Sequence, residues 1–232
     1  MEIHQYKSRE LDYIAIYPKE NPKESNKHNL VITLLHGFGA DMYDLAGLCP
    51  EIDQNHLYIL PNAPYEVQFD FGMVGRSWRN PNNLNSQMEN SQSLKIINEE
   101  EELITSFMSE INEKFNPGEE NRIIGGFSQG AGVASRYGLK NTNYTDGLLI
   151  LSGSTSWLNE TDENFVDENF NFPIFMGHGI NDQMIPISSA LKTFEILKIK
   201  GFHPEYHEYL MGHEINSEEI NDIKKWLENF QR

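Results

Sequence analysis

The stretch that most constrains this chain is Gly126-Phe127-Ser128-Gln129-Gly130, entered from Arg122-Ile123-Ile124-Gly125 and continued by Ala131-Gly132-Val133-Ala134-Ser135. It reads as an apolar strand, a sharp turn and a helix that opens on small residues. A serine at the apex of such a turn has strained backbone geometry and a hydroxyl held clear of the sheet. Glycines two residues to either side remove the side chains that would collide there. In a chain with 17 glycines the string alone is weak evidence, so its context decides. Gly75-Arg76-Ser77-Trp78-Arg79 lacks both the strand before and the helix start after. The Ser128 segment has both and reads as a nucleophile elbow.

The rest of the chain supplies the sheet that an elbow needs. Leu11 to Tyr17 reads as an early strand stopped by Pro18, and Leu30 to Leu35, Leu57 to Leu60, Gly147 to Gly153 and Pro173 to Gly179 are short apolar runs. Such runs suit strands covered on both faces. Glu205 to Leu210 is polar and belongs near an edge. Helical periodicity runs from Ser93 to Phe115, stopped by Asn116-Pro117-Gly118, with Glu99 to Glu102 as its solvated face, and again from Ser188 or Ser189 to Lys200 and from Ser217, which reads as the cap of its helix, onward. This alternation predicts one α/β domain over residues 1–232, with a mostly parallel central sheet flanked by helices. Residues 61–92 set Phe69, Phe71, Met73, Val74 and Trp78 among Gly, Asn and Pro, and so form a candidate lid or substrate loop. Trp78 has two open readings, the lining of an acyl pocket and packing beneath that loop.

Charge and cysteine content narrow the partners. Lys and Arg number 18 against 35 Asp and Glu, a formal net charge of -17. That balance repels phosphate backbones and anionic headgroups, which disfavours nucleic acid as a partner. Cys49 is the only cysteine, so no intramolecular disulfide forms, and the residue reads as a small buried side chain before Pro50. The amino-terminal residues show no basic-then-apolar signal pattern and no run approaches a membrane span, which gives a cytoplasmic expectation. An exposed apolar loop leaves a homodimer open as a partner.

A serine hydroxyl is a poor nucleophile until a base takes its proton, and an imidazole serves best when a carboxylate holds its tautomer. In a sheet of this kind the chain order is Ser, acid, His. Asp146 precedes its strand, and Asp162 and Asp167 lie in an acidic loop, whereas Asp182 follows a buried strand by a short turn. His203 stands before a strand and His207 within it, while His213 follows it beside Gly212. The set is therefore Ser128, Asp182 and His213. The Gly37-Phe38-Gly39 loop at the end of an earlier strand offers the Phe38 N–H, and the elbow offers that of Gln129, as two halves of an oxyanion hole. His36 fits a structural role on the loop backbone better than that of a base. His203, His207 and His213 do not read as a metal set, because Pro204 prevents helical spacing and no cysteine or carboxylate cluster completes it.

These segments also resemble a known family. Leu35-His36-Gly37-Phe38-Gly39-Ala40-Asp41, Pro61-Asn62-Ala63-Pro64, Arg76-Ser77-Trp78, Gly126 to Ala131, His178-Gly179-Ile180-Asn181-Asp182 with Ile185-Pro186, and Gly212-His213 are similar, in that order, to the phospholipase/carboxylesterase family that includes acyl-protein thioesterases. The resemblance spans roughly residues 30–228, and the ordered combination is far more specific than any one motif. It implies an α/β-hydrolase fold and a serine hydrolase without metal or cofactor that acts on carboxylic esters or thioesters, as a small-molecule ester or an acylated substrate. It also implies the same roles for Ser128, Asp182, His213 and the Phe38 and Gln129 amides. The chain departs from the pattern at Ala40, where an acidic residue is common, and at Arg79, where an aromatic is common. Three other functions remain open at this stage: an acyltransferase or a peptidase using the same three residues, and a non-catalytic protein that uses an apolar cleft for binding.

Overall fold

The short apolar runs become the middle of the molecule. The computed structural model describes residues 1–18, 30–83, 90–115, 122–155, 157–158 and 171–231. Its strands are β1 (Glu2–Lys7), β2 (Asp12–Tyr17), β3 (Val31–Leu35), β4 (Leu57–Pro61), β5 (Tyr65–Gln68), β6 (Val74–Ser77), β7 (Arg122–Phe127), β8 (Gly147–Leu151), β9 (Ile174–Gly179) and β10 (Glu205–Tyr209). Its α-helices are α1 (Cys49–Ile52), α2 (Asn90–Phe115), α3 (Gln129–Lys140), α4 (Ile187–Ile199) and α5 (Ser217–Glu228). Eight strands form one sheet in the order β1-β2-β4-β3-β7-β8-β9-β10. The β1–β2 and β2–β4 pairs are antiparallel and every pair from β4 to β10 is parallel. The mostly parallel α/β architecture expected from the sequence is the one observed.

All residues of β3, β8 and β9 are buried, because successive side chains alternate between two covered faces. Ile124, Leu148 and Ile150 share one core with Phe107 and Ile111 of α2 and Val133 of α3. Ile123, Leu149 and Leu151 share the other with Cys49 and Ile52 of α1 and Ile223 and Trp226 of α5. Helices therefore cover both faces. Cys49 is wholly buried, and burial pushes its thiol up to about 12, so it packs as a small apolar group.

Four local expectations change. The sequence reading had no strand before Leu11, yet Glu2–Lys7 pairs with β2 as an exposed edge. Within 61–92, Tyr65–Gln68 and Val74–Ser77 form a two-stranded antiparallel hairpin where a loop was expected. Its register sets Tyr65 opposite Ser77 and Gln68 opposite Val74. The cap of α5 is Asn216, whose side chain accepts the Glu219 N–H at 2.9 Å, with Ser217 as the first helical residue. Glu100 is not on a solvated face. It is buried, with Arg79 at 3.0 Å and Arg136 at 3.4 Å, while Glu101 pairs with Lys140 at 2.8 Å. Arg79, one of the departures from the family pattern, thus joins α2 to the segment after β6. Asp162, Asp167 and the Asn116-Pro117-Gly118 helix stop lie outside the described residues.

Candidate active site

Every loop singled out in the sequence leaves the carboxyl end of a parallel strand: the Gly37 loop from β3, the elbow from β7, the Asp182 turn from β9 and the His213 turn from β10. Ligand sites collect at that edge in sheets of this kind. The elbow is built as its glycines require. Ser128 has φ 55° and ψ −117°, a strained conformation for a residue with a side chain. A Cβ on Gly126 would run into the Gly130 backbone, and one on Gly130 into the Leu35 and His36 carbonyls. Both positions therefore exclude any larger residue.

Ser128, His213 and Asp182 meet at this edge, across sequence separations of 85 and 31 residues. His213 Nε2 lies 2.9 Å from Ser128 Oγ, and His213 Nδ1 lies 2.7 Å from Asp182 Oδ2. The Asp182 side chain is fully buried, and its Oδ1 accepts the Met184 and Ile185 N–H groups at 2.8 and 2.9 Å. Burial acts to raise the Asp182 carboxyl, but the hydrogen bonds from His213, Ile185 and Met184 outweigh it and hold the group below its ordinary value. An ionised carboxylate accepts the Nδ1–H and keeps the proton on that nitrogen, which leaves the Nε2 lone pair facing the serine hydroxyl. The Phe127 ring packs 4.8 Å from the imidazole, centroid to centroid, and steadies its plane. Such an arrangement can carry a proton away from Ser128 and return it.

The Gly37 loop lies against the serine. A Cβ on Gly37 would sit 3.2 Å from the Phe127 ring and 3.4 Å from Ser128 Cβ. Gln129 is the first residue of α3, where an amide has no carbonyl one turn back in its own helix. The Phe38 amide likewise donates to no other described group. The Gln129 N–H is thus available next to Ser128, and the Phe38 N–H on the loop whose Gly37 packs against the serine.

His36 is buried and holds the loop from below. The Ala63 N–H donates to its Nε2 at 3.1 Å, so its Nδ1 carries the proton and donates to the Gly37 carbonyl at 2.7 Å. Burial lowers its pKa, which the Gly37 bond partly opposes, and the neutral ring fits this pair of bonds.

The pattern of the phospholipase/carboxylesterase family matches residues 19–231. The chain belongs to that family. Acyl-protein thioesterase 1 of Yarrowia lipolytica is 30% identical over 226 residues, covering 91% of this chain and 96% of the relative. The Candida albicans protein of that name is 29% identical over 221 residues, covering 90% and 95%. The solved structure of esterase PE8 superposes with a TM-score of 0.77 at 20% identity over 95% of this chain and 99% of its own, which supports the α/β-hydrolase fold.

Trp78 does not line an open cleft in this member of the phospholipase/carboxylesterase family. It is 1% exposed, its indole N–H donates to the His36 carbonyl at 2.8 Å, and its amide donates to Gln129 Oε1 at 2.9 Å. Packing is thus the reading its position supports. The exposed aromatic surface instead comes from Phe38, which meets Phe69 edge to face at 6.1 Å, and from Phe71 at the hairpin tip.

The sequence reading missed the Gln129 side chain. Its Nε2 donates to Ser77 Oγ at 3.2 Å, while the Ser77 hydroxyl donates to the Arg79 carbonyl at 2.6 Å. The hairpin also exchanges two backbone bonds with the Gly37 loop, Gly39 N–H to Arg76 O and Arg76 N–H to Ala40 O, both 2.8 Å. Ser77 to Arg79 therefore ties the elbow to the neighbouring loop. Its only sequence signal was the recurrence of Arg76-Ser77-Trp78 in the family pattern.

Among the described residues no group of three His, Cys, Asp or Glu side chains is placed to hold a metal ion. No described helix is long and apolar enough to cross a membrane.

Proposed function

We propose that this protein is a serine hydrolase that cleaves carboxylic esters or thioesters through an acyl-enzyme on Ser128. The observation that carries the reading is the single imidazole of His213, which reaches Ser128 through one nitrogen and the buried Asp182 carboxylate through the other. In this mechanism Ser128 Oγ attacks the acyl carbonyl while its proton passes to His213 Nε2. Asp182 stabilises the imidazolium, and the Phe38 and Gln129 amides receive the oxyanion. The imidazolium gives its proton to the departing alcohol or thiol. Water, deprotonated by the same imidazole, then attacks the acyl-enzyme, the acid leaves and Ser128 regains its proton. The exposed Phe38, Phe69 and Phe71 side chains favour an apolar acyl group, and the named relatives favour the thioester arm. A fluorophosphonate probe should label Ser128 and p-nitrophenyl acetate should be hydrolysed, with both signals lost in Ser128→Ala. Labelling that survives in that variant would falsify the assignment.

The Ser77–Gln129 tie carries a second expectation. Gln129→Ala keeps the backbone N–H and removes only the side chain that anchors it. Because outright loss of an oxyanion donor costs about 100- to 1000-fold in kcat, a loosened one should cost roughly 10-fold, with KM little changed. Steady-state kinetics on p-nitrophenyl acetate tests this, and an unchanged kcat would show the tie to be irrelevant to turnover.

A further inference from the structure

His178 is the penultimate residue of β9 and is 1% exposed. It opens the His178-Gly179-Ile180-Asn181-Asp182 segment and takes no part in the proton transfers described above. Its Nε2 lies 2.8 Å from the Ile185 carbonyl oxygen, so that nitrogen carries the proton and donates it. The same nitrogen lies 3.4 Å from Asp182 Oδ2, the oxygen that accepts the His213 Nδ1–H. The opposite ring nitrogen, Nδ1, is buried and has no hydrogen-bond partner among the described residues.

A buried imidazole that leaves one nitrogen unsatisfied carries a desolvation cost of about 1–3 kcal/mol. An apolar residue of similar shape would avoid that cost, so the other nitrogen must account for its presence. What Nε2 holds is the turn from Asp182 to Ile185. The Met184 and Ile185 N–H groups of that turn fix Asp182 Oδ1, the Asp182 N–H donates to the Gly179 carbonyl at 3.2 Å at the near end of the turn, and the Ile185 carbonyl anchors its far end to β9 through His178. Released, that carbonyl would swing toward water and take the two amides with it. Asp182 would then lose the contacts that aim Oδ2 at His213.

We propose that His178 is a positioning residue for the Asp182–His213 pair: its Nε2–H clamps the Ile185 carbonyl and thereby holds the carboxylate in line with the base. This rests on the hydrolase reading for its kinetic consequence, although the clamp itself is a property of the resting protein. The role needs an N–H donor at the ε position, which distinguishes it from simple packing. Gln places a donor N–H at that distance from the backbone, whereas Asn places one nearer, at the δ position, and Leu provides none.

The test compares His178→Gln, His178→Asn and His178→Leu by two readouts. One is kcat and KM for p-nitrophenyl acetate. The other is the far-downfield proton NMR resonance of the His213 Nδ1–H bonded to Asp182, assigned by its loss in His213→Gln. We expect the Asn and Leu variants to lose about 30-fold in kcat with KM within about 3-fold, as a sub-ångström misplacement of a catalytic group would produce. The downfield resonance should vanish in both. His178→Gln should restore the resonance and bring kcat to within about 3-fold of the parent. If Leu does not fold, the Gln and Asn pair decides alone. Asn equal to Gln in both readouts, or the resonance intact in folded His178→Leu, would overturn the proposal. Since the resonance does not depend on turnover, a protein that shows it without hydrolysing any ester would refute the hydrolase reading while leaving the clamp open to measurement.

Discussion

Asp182→Asn is expected to lower kcat for ester hydrolysis by about 1000- to 10,000-fold while leaving the fold intact. The two oxygens of this carboxylate have different partners, and those partners dictate how an amide would sit. Oδ1 accepts two backbone N–H groups, from Met184 and Ile185, so the asparagine carbonyl must take that place. The amide NH2 is then turned toward His213 Nδ1, where Oδ2 now stands at 2.7 Å. Facing a donor, the imidazole keeps its lone pair on Nδ1 and its proton on Nε2. A protonated Nε2 cannot take the Ser128 proton, although the 2.9 Å spacing to Oγ is preserved. Little stability is lost, since both backbone donors remain satisfied. The melting temperature should stay within a few degrees of the parent. Steady-state kinetics beside a thermal melt tests both halves. A loss of less than 10-fold would mean that Asp182 does not set the tautomer.

The same distinction, between what a side chain is and which backbone atoms it meets, decides what could be read from the sequence. The strands of the sheet's middle were legible because burial on both faces leaves room for few polar residues, Thr33 and His178 among them. Leu30 to Leu35 and Gly147 to Leu151 therefore announce themselves. Strand β1 was not legible, because Glu2 to Lys7 is held by backbone pairing with Asp12 to Tyr17 while its side chains mostly face water. The elbow was legible because its glycines are forced by the closeness of two backbones, which leaves a mark in composition. The Gln129 and His178 side chains left no such mark. Their key partners, the Trp78 amide and the Ile185 carbonyl, are present at every position of any chain. Glu100 misled for a related reason. It sits in a run of four acids, and only the folded chain brings Arg79 and Arg136 to it.

Glu219 shows the reverse case, an ionisable side chain that finds no partner among the described residues. It lies in the first turn of α5, is 0% exposed, and neither carboxyl oxygen has a hydrogen bond among the described residues. A Cβ on Gly177 of β9 would collide with Oε1, so the bare strand backbone makes the space the carboxyl occupies. The nearby charges give no relief, because Glu218 and Asp222 share its helix and the facing Tyr209 ring is neutral. Burial raises the Glu219 pKa from its ordinary 4.5 to about 8. In the unfolded chain the group ionises near 4.5, so between that pH and about 8 the folded state binds more protons than the unfolded state. Stability contributed by the neutral form is complete below 4.5 and is progressively lost as pH rises through 8. The full span amounts to roughly 4–5 kcal/mol.

Glu219→Gln removes the titration but keeps the shape. Its buried amide costs about 1–3 kcal/mol at every pH. The variant should therefore be less stable than the parent near pH 5 and more stable near pH 9, with the two curves crossing between. Urea midpoints at pH 5, 6, 7, 8 and 9 measure this, and the difference between the proteins cancels every other group that titrates in the range. Parallel curves would mean that the Glu219 carboxyl is ionised, and partnered, in the folded protein.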